Sequence, residues 1–103
     1  MGIDALLTDE RGKIEAEVLD PLNRLSKLFI AIPELQSMCR IPYIDPHGDT
    51  VFNRLQVGRF LEEWVQVVNL ASSADEKVQV TAIRALAIRC RDSAHLYLKF
   101  IGD

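Results

Sequence analysis

The densest run of chemically capable side chains is Tyr43, Asp45, His47, Asp49, Thr50 and Asn53, gathered around the tetrapeptide Asp45-Pro46-His47-Gly48. Two chemistries suit such a set. Asp45, His47 and Asp49 carry oxygen and imidazole ligands for a metal ion, and His47 beside a carboxylate could act as an oriented general base. The spacing argues against both. Three ligands on one tight turn lack the helical i,i+4 or paired CxxC arrangement of a strong metal signature, and further ligands are not evident elsewhere. The same residues build a turn, with proline second and glycine fourth as in a type I turn. Asp49, Thr50 and Asn53 then satisfy backbone donors near a helix start. The segment is read as a partner-contact region, and a small metal- or ligand-binding protein or enzyme using the Asp45/His47/Asp49 turn is the alternative.

Other chemistry is sparse. No serine stands in a GxSxG setting, no glycine-rich loop precedes Lys-Ser/Thr, and HExxH is absent, so no catalytic residue is assigned and no cofactor is expected. Cys39 could pair with His47 or His95 as a nucleophile. Both cysteines, Cys39 and Cys90, nevertheless have apolar neighbours and no CxxC spacing, which is the setting of buried reduced thiols. His95 reads as a turn or capping residue. Trp64 is in helical step with Phe60, Leu61 and Val68, which makes it a core residue.

Charge singles out a second region. Of a net −3 over 103 residues, residues 1–20 carry −4 and the remainder +1. Without a basic stripe to neutralise phosphates, nucleic-acid binding is not expected. An acidic segment instead suits a basic protein surface. Its exposed acids would be Glu15 and Glu17, on the strand face opposite Ile14, Ala16 and Val18. A hydrophobic share of 49% with 26% charged residues is that of a folding chain. No apolar run is long enough to cross a bilayer and no basic leader precedes one, so a cytoplasmic setting without membrane contact is expected.

The elements that position these residues follow from periodicity. Ile3, Ala5, Leu7 and then Ile14, Ala16, Val18 alternate on either side of Asp9-Glu10-Arg11-Gly12, which predicts an N-terminal β-hairpin. Asp20 then Pro21 predicts a capped helix with Leu22, Leu25, Leu28, Phe29 and Ile32 on one face, ending at Pro33. Ile41–Ile44 and Thr50–Phe52 flank the Asp45 turn as a second short hairpin or an ordered loop. Asn53 and Gln56 form a capping box before a helix that buries Val57, Phe60, Leu61, Trp64, Val65 and Val68, with Arg59, Glu62, Glu63 and Gln66 elsewhere. Ser73 and Glu76 repeat the box before a helix from about Asp75 to Arg91 that buries Val80, Ile83, Ala87 and Cys90. Leu96–Ile101 alternates as a last strand against the hairpin. The expectation is one α+β domain over residues 1–103, a small antiparallel sheet packed against about three α-helices.

At Gly48-Asp49-Thr50-Val51-Phe52-Asn53-x-x-Gln56 and at His95-x-Tyr97-Leu98-x-Phe100-x-Gly102-Asp103 the chain resembles a group of small, largely uncharacterised bacterial proteins. They are similar to the immunity proteins of bacterial polymorphic toxin systems. The resemblance implies a non-enzymatic protein that neutralises a cognate toxin, one with a basic surface, by direct binding. It supplies no catalytic residue. Candidate contacts are Glu15, Glu17, Tyr43, Asp45, His47, Asp49 and Asn53, and a homodimer through an exposed strand edge or helix face is a further expectation.

Overall fold

Two alternating segments around a glycine turn form the predicted hairpin. The computed structural model describes residues 2–31, 38, 40–45 and 47–102. Strand β1 (Asp4–Asp9) pairs antiparallel with β2 (Ile14–Val18). Asp9 builds the turn, its Oδ1 accepting from the backbone N–H of Arg11 at 2.9 Å and of Lys13 at 2.8 Å. Gly12 supplies the left-handed residue at φ +85°, a conformation other side chains seldom adopt. The remaining strands are β3 (Asp49–Phe52) and β4 (Leu96–Ile101). β4 lies against β1, as its alternation predicts, and β3 pairs with its other edge. The result is a four-stranded antiparallel sheet in the order β2-β1-β4-β3.

Among the described residues three helices cover one face of this sheet in an α+β arrangement: α1 (Arg24–Ala31), α2 (Arg54–Leu70) and α3 (Ala74–Arg91). Both predicted capping boxes are present, Asn53 with Gln56 before α2 and Ser73 with Glu76 before α3. Each satisfies amides that an α-helix leaves without partners in its first turn. Ala5, Leu7, Phe52, Leu98 and Phe100 from the sheet join Val57, Phe60, Trp64, Val67, Val80, Ile83 and Ala87 in one core cluster. Phe60 stacks on Trp64 with ring centroids 5.0 Å apart. The indole Nε1 donates to Val80 O at 2.9 Å, so the ring is buried without an orphaned donor. Trp64 is the core residue its spacing predicts.

Several expectations are corrected. α1 begins at Arg24 rather than after Asp20, because Asn23 takes φ +54° and interrupts helical backbone. Pro21 and Leu22 therefore lie in a turn, and Leu22 is 58% exposed. Asp20 still caps α1, from outside it. Oδ1 accepts from Arg24 N at 2.8 Å and Oδ2 from Leu25 N at 3.1 Å. Ile41–Tyr43 is a 3-10 turn, so the segment before Asp45 is the ordered loop and β3 takes β4 as its partner. In α2, Val67 is buried and Val65 exposed, and Glu63 lies inside at 5% exposure. The expected stop at Pro33, together with Ile32, Cys39 and Pro46, lies outside the described residues.

A further correction concerns the hairpin. Leu7 stands opposite Ala16, but Thr8 stands opposite Ile14, so Glu15 is one extra residue in β2. Such a bulge breaks strict alternation. Ala16 and Val18 keep the helix-facing side, whereas Ile14 joins Thr8 on the opposite face and is 50% exposed. The face shared by Ile14, Ala16 and Val18 in the sequence pattern is divided by a single residue.

Candidate functional site

The Tyr43–Asn53 segment is largely occupied by its own backbone. Asp45 Oδ1 accepts from His47 N at 2.8 Å, while Thr50 Oγ1 accepts from Asp45 N at 3.0 Å and donates to Tyr43 O at 3.3 Å. Asn53 Oδ1 accepts from Gln56 N, and Gln56 Oε1 from Asn53 N, both at 2.9 Å. Asp49 Oδ2 pairs with Lys99 Nζ at 3.5 Å. Tyr43, Asp45, His47, Asp49 and Asn53 are all exposed, Tyr43 the most apolar of them at 72%. Among the described residues no group of three His, Cys, Asp or Glu side chains is placed to hold a metal ion.

The nucleophile candidates are no better placed. Cys90 is fully buried, its Sγ donating to Leu96 O at 3.3 Å. Burial pushes its thiol pKa up, the reverse of what activates a cysteine. His95 is exposed at the mouth of β4 and contacts the Glu10 carboxylate through Nδ1.

Two buried carboxylates have structural roles. Asp20, 1% exposed, accepts from Ile3 N, Arg24 N, Leu25 N and Gln79 Nε2, at 2.8 to 3.1 Å. It therefore ties the start of the chain, α1 and α3 to the end of β2. Burial raises its pKa, but the hydrogen bonds from Gln79 and from the three amides outweigh burial and hold it below the ordinary carboxylate value. Gly2 passes so close that a Cβ there would stand 2.1 Å from Asp20 O. On the other side of the molecule Glu63 accepts from Arg40 N at 2.9 Å and Ile41 N at 3.0 Å, and pairs with Arg59 Nε at 3.3 Å. Glu63 fixes the 3-10 turn that leads toward β3.

The surface left for binding is the face of the sheet turned away from the core. Cross-strand pairing places Glu17, Leu6, Lys99 and Val51 in one row, Ile14, Thr8 and Tyr97 in a second, and Asp4, Ile101 and Asp49 in a third. An antiparallel sheet with one solvated face ordinarily carries polar residues there. Here half of the ten positions are apolar: Ile14 and Val51 are half exposed, Tyr97 and Ile101 partly buried, and Leu6 at the centre is buried, at 6% exposure. Acids dominate the charges, with Asp4, Glu17 and Asp49 against Lys99, which is itself paired with Asp49. The predicted contacts Glu17 and Asp49 thus share a face, at opposite edges of the sheet. Glu15 sits in the bulge of β2, whereas Tyr43, Asp45, His47 and Asn53 cluster around β3. The apolar part of the face is not legible in the sequence, where Val51, Tyr97 and Ile101 are ordinary strand residues and Ile14 falls on the opposite side of the alternation.

Compared with family models, with curated proteins and with solved structures, the chain matches none. No described helix is long and apolar enough to cross a membrane.

Proposed function

We propose that this chain is a non-enzymatic protein-binding domain, an immunity protein that neutralises a cognate bacterial toxin by covering a basic surface on it. The observation that carries the reading is the outward sheet face, apolar at the half-exposed Ile14 and Val51 and the partly buried Tyr97 and Ile101, and acidic at Glu17, Asp4 and Asp49. Apolar and aromatic side chains within a charged surround have the composition of a docking surface. The acids would speed encounter with a basic partner and select against acidic ones.

Size refines the proposal. Four strands at about 4.8 Å spacing and about six residues at 3.4 Å give a face of roughly 400 Å² in projection. A standard interface buries about 800 Å² per partner. The contact therefore continues past one edge of the sheet. Coexpression with toxins encoded beside this gene tests the reading: the cognate toxin is neutralised and copurifies, and Tyr97→Ala with Ile101→Ala weakens that complex. Failure of every neighbouring toxin to be inhibited or retained overturns it.

A further inference from the structure

Strand β2 ends the sheet beside an apolar strip that the sheet itself does not cover. A groove of about 250 Å³ is lined by Val18, Leu19, Pro21, Val78, Gln79 and Ala82 together with the ion pair Arg24–Asp75 at 3.4 Å, and its apolar side continues along α3 to Ala85, beside Lys77 and Thr81. Val78, Ala82 and Ala85 stand at i, i+4 and i+7, on one side of the helix. Leu19 is 54% and Val78 71% exposed.

We infer that β2 accepts an extended basic segment of the partner as a fifth strand, whose apolar side chains lie along Leu19, Val78 and Ala82. The inference rests on the protein-binding reading above and names its mode. An edge strand offers unpaired N–H and C=O groups to such a segment, with pockets beside it selecting side chains. The bulge is confined to Ile14–Ala16, which leaves Ala16–Val18 regular next to the groove. Charge identifies the occupant. Glu15 and Glu17 are exposed on β2 and, among the described residues, make no hydrogen bond or ion pair, so lysines or arginines flanking the added strand would find partners. A second copy is disfavoured, because antiparallel pairing of two β2 strands about Ala16 sets Glu15 of each copy against Glu17 of the other.

The β3 edge offers less. β3 has four residues and runs through Asn53 directly into α2, and its Asp49 is already paired with Lys99.

A short blocked peptide alternating lysine with valine is the probe, with a glutamate–valine counterpart and a lysine–valine peptide methylated on alternate backbone nitrogens. Titration followed by amide NMR is expected to shift and protect β2 and Leu19 amides with the first peptide alone. Val78→Glu is expected to weaken it about tenfold, the scale on which a charge disrupts an apolar contact, while Leu55→Glu, at an exposed position of α2 outside both the groove and the outward face, leaves it unchanged. Equal binding of the methylated peptide, shifts centred on Tyr97 and Val51, or no shifts at β2 overturn strand addition. With the cognate toxin in hand, neutralisation that survives Val78→Glu removes this mode and leaves the immunity reading standing. A wild-type chain that neutralises nothing removes that reading, whatever the peptide does.

Discussion

The two edges of the sheet carry similar numbers of polar side chains and use them differently. Around β3, Asp45, Thr50 and Asn53 each hold a neighbouring backbone group, and Asp49 holds Lys99. Around β2, Glu15 and Glu17 hold nothing among the described residues, and the apolar Leu19 and Val78 beside them stay exposed. A polar group engaged by its own backbone is part of the fold, and releasing it to a partner costs that engagement. A polar group left free at a strand edge has no such cost. The difference moves the expected contact toward β2, and it makes a prediction for each edge: substitutions near β3 should cost stability, those on β2 only binding.

The largest effects lie beneath both edges, at the buried carboxylates. Asp20→Ala leaves three amides and the Gln79 amide without their acceptor and should destabilise by about 3 kcal/mol or more, read as a lower urea midpoint at unchanged slope. The same residue imposes a pH dependence. Its native pKa is depressed, so its contribution is complete above the unfolded value, near 3.8, and is lost as pH falls through the lower native value. Asp20→Asn should flatten that part of the acid limb. Glu63→Ala, under the β3 side, should cost about 2 kcal/mol by freeing the amides of Arg40 and Ile41. Should Asp20→Ala prove near neutral, the β2 end is not organised by this carboxylate and the comparison loses its foundation.

Neither carboxylate is visible in the sequence as buried, and the reason is physical. Periodicity reports which positions face a core, and acids are assigned outward by default because burying one is costly unless several donors converge on it. Those donors come from distant places: Ile3 and Gln79 for Asp20, and Arg40 and Ile41 for Glu63. Local signals were read well. The hairpin, the boxes at Asn53 and Ser73, the core side of α3 and the closing strand all depend on residues within a few positions of one another. The bulge at Glu15 was not legible, since Ile14, Ala16 and Val18 alternate perfectly until pairing with β1 inserts one residue. The start of α1 failed similarly, because Asp20-Pro21 suits a turn as well as a cap and Asn23 decided between them. On the outward face Glu17 and Asp49 are legible as exposed acids, whereas Val51 and Tyr97 look like any strand residues until the uncovered side of the sheet is known.

A smaller effect separates the edges directly. Asn53→Ala removes the side-chain half of the α2 capping box and should cost about 1 kcal/mol, measured by the same unfolding titration. Asn53→Ser or Asn53→Asp, which also cap, should recover most of it. If Asn53→Ala leaves stability unchanged while weakening binding of the proposed partner, Asn53 is a contact in its own right and the β3 edge returns as the equal of β2.

The smallest effect on stability is expected where the effect on function is largest. Glu15→Gln with Glu17→Gln removes two exposed charges from a strand that keeps its pairing with β1 and its size, so unfolding should move by no more than about 0.5 kcal/mol. Losing them also relieves repulsion within an acidic segment, so a slight gain is as consistent as a slight loss. Association with the proposed basic partner should slow about tenfold at low ionic strength, and the gap should narrow as salt screens the charges over the Debye length of about 10 Å at 0.1 M. Asp45→Asn with Asp49→Asn supplies the opposite case. It removes the same amount of charge, breaks the Lys99 pair and weakens the acceptor for His47 N, so it should cost stability and leave the association rate nearer wild type. Equal slowing by the two pairs would mean that the partner senses only net charge, and the distinction between the edges would then lie in folding alone.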